Sequence, residues 1–279
     1  MKTLFILTAA VALAQDGGLP YPPQMQGAKV ETYATVANAK LNLYIFDPPQ
    51  KSTPRPAIVF FFGGGWTHGS PIQFEQHCRR LASLGFVAIT ADYRVETRHK
   101  STVPDSIADA RAALNYVQAN AARLGIAPSR IAAGGGSAGG MLAAVAAMIP
   151  ESPIAALVLF NPALVLAPIP GDEALSAWAA SRITRPIFAG VDGASISPWH
   201  HVSKNSPPTL ILHGKADTTV PYATVESFAA KMKQAGARCD LIGYDGEKHG
   251  FFNYKPGGTP AFNDTLKKAE AFLLSVMRP

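Results

Sequence analysis

Cysteine is scarce in this chain: 279 residues carry only Cys78 and Cys239, too few for a disulfide-built scaffold or a thiolate-held metal cluster. Cys78 falls on an expected helix and Cys239 opens an expected last strand about four places away at ~4.8 Å per place. A disulfide tolerates only ~7 Å between Cα atoms, so two buried free thiols are the expectation. The export argued below keeps a bridge open. Histidine offers no metal set either, since His200-His201 have no ligand partner at helical spacing. No metal and no other cofactor is expected. Internal repeats and long linkers are absent, and no apolar run approaches the ~20 residues of a membrane-spanning helix. No stable membrane anchor is therefore expected. Positive charge is in modest excess, with 25 Lys and Arg against 19 Asp and Glu. It is scattered rather than gathered into a stripe, which excludes an obvious nucleic-acid footprint.

The chain does have apolar bulk. Its hydrophobic fraction of 48% is ample for the core of one domain, assigned to residues 30–279. Residues 1–14 read as an export leader: Met1-Lys2 gives a positive start, Leu4 to Leu13 is apolar except for Thr8, and Ala12 and Ala14 are the small residues before a cleavage site at Gln15. Residues 15–29, rich in Pro and Gly, read as a loose lead-in. The leader makes a secreted or periplasmic location the expectation.

The strongest chemical signal is Gly134-Gly135-Gly136-Ser137-Ala138-Gly139-Gly140. Arg130 to Ala133 reads as a strand entering these glycines and Met141 to Ile149 as an Ala-rich helix leaving them. A serine on such a strand-to-helix turn sits at strained backbone angles, so Gly135 and Gly139 on either side must lack side chains. The N–H of Ala138 then opens the helix toward the same space, carrying the positive end of its dipole.

Two further segments complete the pattern. Thr209 to Gly214 reads as a buried strand, with Asp217 just beyond it. Leu241 to Tyr244 reads as another strand, followed by a loop carrying His249 between Lys248 and Gly250. Alone, His249 is a loop histidine and Asp217 a turn residue or cap. Together with Ser137, they supply the hydroxyl, the imidazole and the carboxylate that acyl transfer by a serine nucleophile requires. Gly63-Gly64-Gly65-Trp66 follows the apolar strand Ala57 to Phe62, and its main chain can approach a reacting carbonyl without a Cβ in the way. Gly64, Gly65 and Ala138 are the expected oxyanion donors. Trp66 and Phe251 are expected pocket walls, from their adjacency to the glycine loop and to His249.

These motifs resemble the α/β-hydrolase superfamily, and within it the serine esterases with an HGGG-type oxyanion loop, including acetyl-xylan and feruloyl carbohydrate esterases. The resemblance spans roughly Val30 to Met277, with Phe62-Gly63-Gly64-Gly65-Trp66 matching the oxyanion loop and Ala91-Asp92-Tyr93-Arg94 the segment after the fourth strand. Two departures stand out. Phe62 replaces the histidine that usually precedes the glycines, so the brace on that loop must come from elsewhere. Gly214-Lys215-Ala216-Asp217 is more similar to dienelactone-hydrolase and peptidase relatives than to hormone-sensitive lipases. The resemblance implies a carboxylesterase hydrolysing short acyl esters, with a small-molecule or oligosaccharide ester as substrate, acetyl or feruloyl groups on carbohydrate in particular. A serine peptidase and a hydrolase-fold binding protein without turnover stay open, as does the oligomeric state.

Strand and helix signals alternate along the rest of the chain. Val30 to Thr35 and Lys40 to Phe46 form an antiparallel lead. Strands follow from Phe86 to Ala91 and Ala156 to Phe160, and helices at Gln73 to Leu84, Ser106 to Leu124 capped by Asp105, Tyr222 to Gln234 and Asn263 to Met277. The alternation predicts a mostly parallel sheet with helices on both faces, and the resemblance implies the eight-stranded sheet of an α/β-hydrolase fold. An insertion from Asn161 to Pro207, between strands 6 and 7, reads equally as a lid shaping the pocket and as a crossover whose Trp178 and Trp199 fill a satellite core.

Overall fold

In the computed structural model, residues 21–49, 54–149 and 153–277 are described. The export leader lies outside them. The chain runs β1 (Lys29–Val36), β2 (Ala39–Phe46), β3 (Arg55–Phe61), α1 (Glu75–Ser83), β4 (Val87–Ala91), α2 (Glu96–His99), α3 (Val103–Ala119) and β5 (Ile126–Gly136). It continues through α4 (Ala138–Met148), β6 (Ala156–Phe160), α5 (Glu173–Ile183), β7 (Thr209–Gly214), α6 (Tyr222–Gln234), β8 (Cys239–Tyr244) and α7 (Pro260–Val276). The eight strands lie in the order β1-β2-β4-β3-β5-β6-β7-β8. The β1–β2 and β2–β4 pairs are antiparallel and the others parallel. This is the α/β-hydrolase architecture that the resemblance implies, with the parallel strands that the alternation predicts.

Side chains alternate across the sheet with the two-residue period of a strand. On β3, Ala57, Val59 and Phe61 join one core with α3, α4 and α6. Ile58 and Phe60 join the other with α1 and α7. Cys78 is in the second core and Cys239 packs against the first, so the sheet separates them and both are free. Cys78 is buried as expected, whereas Cys239 is half-buried. Burial pushes the Cys78 thiol well above its ordinary pKa and Cys239 up to about 12.

Several expected boundaries move. Helix α3 begins at Val103, not Ser106, and its cap is Thr102, whose hydroxyl accepts from the Asp105 N–H while Asp105 accepts from the Thr102 N–H. That reciprocal pair, with proline tolerated in the first turn, starts the helix a turn earlier. It ends at Ala119, and the chain turns through Leu124 into β5. The segment from Gln73 splits into a 3-10 turn at Pro71–Phe74 and α1. The lead-in is not loose over its described part: Tyr21 donates to Asp92 at 2.7 Å and Met25 is buried. Among the described residues, no helix is long and apolar enough to cross a membrane, and no metal-ligand cluster is present.

Candidate active site

Strand β5 delivers the chain into Ser137, and α4 leaves from it. Ser137 has φ 53° and ψ −117°, a left-handed backbone that costs a non-glycine residue ~1–3 kcal/mol and persists only where its surroundings fix it. The fixing groups are local. Its N–H donates to the Phe160 carbonyl of β6 at 2.8 Å, and its own carbonyl accepts from Met141 at 3.1 Å. A Cβ on Gly139 would lie 2.1 Å from the Phe61 carbonyl, and one on Gly135 2.5 Å from it. Only glycine lets strand and helix come this close.

The ends of β7 and β8 bring the two other groups to this turn. His249 Nε2 is 3.0 Å from Ser137 Oγ, and Nδ1 is 2.6 Å from Asp217 Oδ2. A carboxylate only accepts, so Nδ1 carries the proton and Nε2 turns a lone pair toward the hydroxyl. The Asp217 side chain is fully buried, while His249 keeps a quarter of its side-chain surface exposed. Burial alone raises the Asp217 pKa. Hydrogen bonds from His213, His249 and the Val220 amide outweigh it and hold the carboxyl well below its usual range. Its Oδ1 accepts from the Thr219 and Val220 N–H groups at 2.8 and 2.9 Å.

Two donors to Asp217 escaped sequence reading. Asn161, fully buried at the end of β6, donates its side-chain N–H to Oδ2 at 3.0 Å. His213 Nε2 lies 2.9 Å from the Val220 carbonyl and 3.3 Å from Oδ2. Facing a carbonyl, Nε2 must be the protonated nitrogen. No local motif marks either residue.

The glycine loop meets the serine from β3. The Gly63 N–H donates to Gln73 Oε1 at 2.7 Å, and Gln73 Nε2 donates to Asn253 Oδ1 at 2.9 Å, so one amide ties this loop to the loop of His249. Tyr93 donates to the Phe62 carbonyl at 2.8 Å and stacks on the Phe62 ring at 4.0 Å. Gln73 and Tyr93 thus brace the loop where Phe62 replaces a histidine. Gly64 has φ 125° and Gly65 φ 62°, and a Cβ on Gly64 would lie 2.0 Å from the His68 carbonyl. The N–H groups of Gly64 and Gly65 donate to no acceptor among the described residues. Ala138 opens α4, where the first N–H groups have no acceptor within the helix.

Two cavities share Ser137. One, of about 70 Å³, is walled by Gly65, Trp66, Ala138, Leu166, Trp178 and Val220 among others. The second, of about 310 Å³, is lined by Gly64, His68, Gln73, His249, Phe252 and Asn253 among others. Phe251, expected as a wall, belongs to neither. Its ring lies 4.8 Å from that of Tyr244, and the next residue, Phe252, faces the site instead. Adjacency to His249 set its place in the chain but not its direction. Both readings of the Asn161 to Pro207 insertion are realised on different residues. Leu166 and Trp178 wall the small cavity, while Val165, Ile169, Leu175 and Ala179 form a satellite core against which Trp178 and Trp199 pack.

A hydroxyl, an imidazole and a buried carboxylate in line beside unpaired N–H groups can move a proton off the hydroxyl and hold a developing oxyanion. On this sheet, that arrangement has the parts that acyl transfer by a serine nucleophile requires. A family described as alpha/beta hydrolase fold matches residues 58–253, and the chain belongs to it. Esterase LipC of Mycobacterium tuberculosis is 30% identical over 235 residues, covering 74% of this chain and 55% of LipC. A probable isoprenylcysteine alpha-carbonyl methylesterase of Oryza sativa is 27% identical, covering 78% of this chain and 56% of that protein. The chain spans about half the length of the curated relatives it matches. Among solved structures, a thermophilic esterase of Thermogutta terrifontis with propionate bound is 43% identical, with a TM-score of 0.84, covering 94% of this chain and 99% of that one.

Proposed function

We propose that the protein is a carboxylesterase that cleaves short acyl esters through a covalent intermediate on Ser137. The observation that carries this reading is the unbroken line from Ser137 Oγ through His249 to Asp217, at 3.0 and 2.6 Å. His249 takes the Ser137 proton as Oγ attacks the ester carbonyl, and Asp217 stabilises the imidazolium. The N–H groups of Gly64, Gly65 and Ala138 hold the oxyanion. The imidazolium then protonates the departing alcohol, and a water activated by His249 releases the acid.

That proton delivery assigns the cavities. Only the larger one includes His249, so it takes the alcohol, and the smaller takes the acyl group. One water needs ~10–15 Å³ of such space, so about 70 Å³ suits an acyl chain of roughly two to five carbons. Thermogutta terrifontis esterase structures with propionate and with butyrate bound are in keeping with this size. Gln73, His68 and Asn253 around the alcohol cavity suit a polyhydroxylated leaving group, which supports acylated carbohydrate as the substrate class. The leader in residues 1–14 supports action outside the cytoplasm.

A fluorophosphonate probe tests the reading directly. It is expected to label the wild type at Ser137 and to leave Ser137→Ala unmodified. Acetylated xylan against p-nitrophenyl acetate then sorts the alcohol, and methyl ferulate tests a bulkier acyl group. An unlabelled wild type that hydrolyses none of them overturns the proposal.

A further inference from the structure

We propose that the small cavity beside Ser137 accepts acyl groups ending in a carboxylate, which Arg182 and Arg185 hold. The inference rests on the esterase reading and names its acyl class. Both arginines line that cavity and no acidic side chain does. Arg55, Arg79, Arg80, Arg94, Arg123 and Arg238 each face a carboxylate within ion-pair distance. Arg182 and Arg185 face none among the described residues, as do Arg111 and Arg130, which bond to carbonyls and do not line this cavity.

Arg182 is held in place without being neutralised. It donates to the Thr219 carbonyl at 3.1 Å, its guanidinium lies 5.4 Å from the Trp178 ring centre, and its Nε is buried without an acceptor among the described residues. The half-buried guanidinium lines the same cavity as Trp66, Leu166, Trp178 and Val220 and has no counter-charge there, which an anion entering the cavity supplies. A carboxylate matches the guanidinium fork. A cavity of about 70 Å³ is filled by a four- or five-carbon acyl chain, whose far end then meets its walls. Arg182 also sits in the last turn of α5, where a cation offsets the helix dipole. That accounts for Arg182 alone, because Arg185 lies beyond the helix end at Ile183.

The substrate class is therefore the half-ester of a short dicarboxylic acid. Ser137 Oγ bonds to the ester carbonyl, the bond to the alkoxy group breaks, and the alcohol leaves with the His249 proton. Water then frees the diacid, and the distal carboxylate makes no covalent bond.

Monoethyl succinate and ethyl 4-methylpentanoate differ in a terminal carboxylate against an isopropyl group of similar shape, and share one alcohol. Their kcat/KM ratio, measured by titrating released acid at neutral pH, is the readout. Wild type is expected to favour the half-ester by ~10-fold or more, the scale of a hydrogen bond to a charged group. The ratio is expected to narrow as salt is added, and to fall ~10-fold in Arg182→Met plus Arg185→Met. Each single Met variant lowers it by less, and because the ratio is internal it stands in any variant that retains activity. Preference for the neutral ester in wild type, or an unchanged ratio in the variants, overturns the inference while the esterase reading stands. A wild type inert toward both esters and unlabelled by the fluorophosphonate overturns the esterase reading as well.

Discussion

Asn161 holds Asp217 and the loop of His249 with one amide: its N–H donates to Asp217 Oδ2 at 3.0 Å, and its Oδ1 accepts from the Gly250 N–H at 3.4 Å. Asp217 follows β7 and Gly250 lies beyond β8, so their relative placement depends on a side chain from β6. Asn161 is itself fixed by donating its backbone N–H to the Leu212 carbonyl at 3.0 Å.

Asn161→Asp tests that role most cleanly. Asn161 has φ 44°, a left-handed conformation that Asp tolerates nearly as well as Asn, so backbone strain stays out of the comparison. The change replaces a donor with an acceptor beside a buried carboxylate. Loss of a hydrogen bond to a charged group, worth ~1.5–3 kcal/mol, is expected to lower kcat ~10- to 100-fold with little change in KM. Repulsion between the two carboxylates raises their shared pKa, so activity is lost at a higher pH on the acid side than in wild type. Steady-state kinetics on p-nitrophenyl acetate across pH check both. Wild-type kcat with an unshifted acid limb contradicts the role.

The sequence made the meeting of Ser137, Asp217 and His249 legible because each follows a strand whose apolar run and bordering glycines are local signals, and parallel strands deliver their ends to one rim. Gly64 and Gly65 were legible for the same reason. Gln73, Asn161 and His213 were not, because each acts on a partner brought close only by the folded sheet: Gln73 reaches Asn253 across 180 positions. Phe251 and Phe252 show a second limit. In a turn, side-chain direction has no fixed period, so proximity in the chain could not decide which ring faces the site. The cap of α3 was misplaced by three residues because Thr102 and Asp105 are both good capping residues, and only their reciprocal bonding shows which is the cap.

Gln73 carries a separable prediction. Its Oε1 accepts from Gly63 and its Nε2 donates to Asn253. Gln73→Ala leaves the Gly63 N–H without its acceptor and unties the glycine loop from the histidine loop, whereas Asn253→Ala breaks only the second bond. An ordinary hydrogen bond contributes ~0.5–1.5 kcal/mol. Gln73→Ala is therefore expected to lower kcat several-fold to ~10-fold, and Asn253→Ala by less. Equal losses in the two variants mean that the tie between the loops, rather than the Gly63 bond, sets the geometry.

The small cavity sets an acyl-length limit that p-nitrophenyl esters can read. From its volume of about 70 Å³, kcat/KM is expected to be highest for acyl chains of roughly two to five carbons and to collapse by about ten, where the chain no longer fits the space that a few waters would fill. Leu166 is buried in the cavity wall. Leu166→Ala enlarges the wall at a stability cost of ~2–5 kcal/mol and moves the optimum to longer chains. An optimum at ten carbons or more in wild type contradicts the assignment of this cavity to the acyl group.

His77 offers a stability test away from the reaction. Its ring is fully buried among Phe60, Phe74, Phe160, Phe252 and Phe262, with ring centres 5.0 to 6.4 Å away. Neither ring nitrogen has a hydrogen-bond partner among the described residues. Burial lowers its pKa from 6.5 to about 3. The folded protein therefore keeps the imidazole neutral while the unfolded chain takes up a proton as pH drops through 6.5. Stability from this group is complete above 6.5 and is lost as pH falls toward 3. At about pH 5 the loss is ~1.5 pH units, or about 2 kcal/mol. His77→Phe removes the titration. Its gain in unfolding free energy over wild type is expected to be about 2 kcal/mol larger at about pH 5 than at about pH 8. Any crowding from the larger ring acts at both pH values and cancels from the difference. Urea unfolding of both proteins at the two pH values measures it. Equal increments at both mean that the buried imidazole takes up its proton in the folded state as readily as in the unfolded chain.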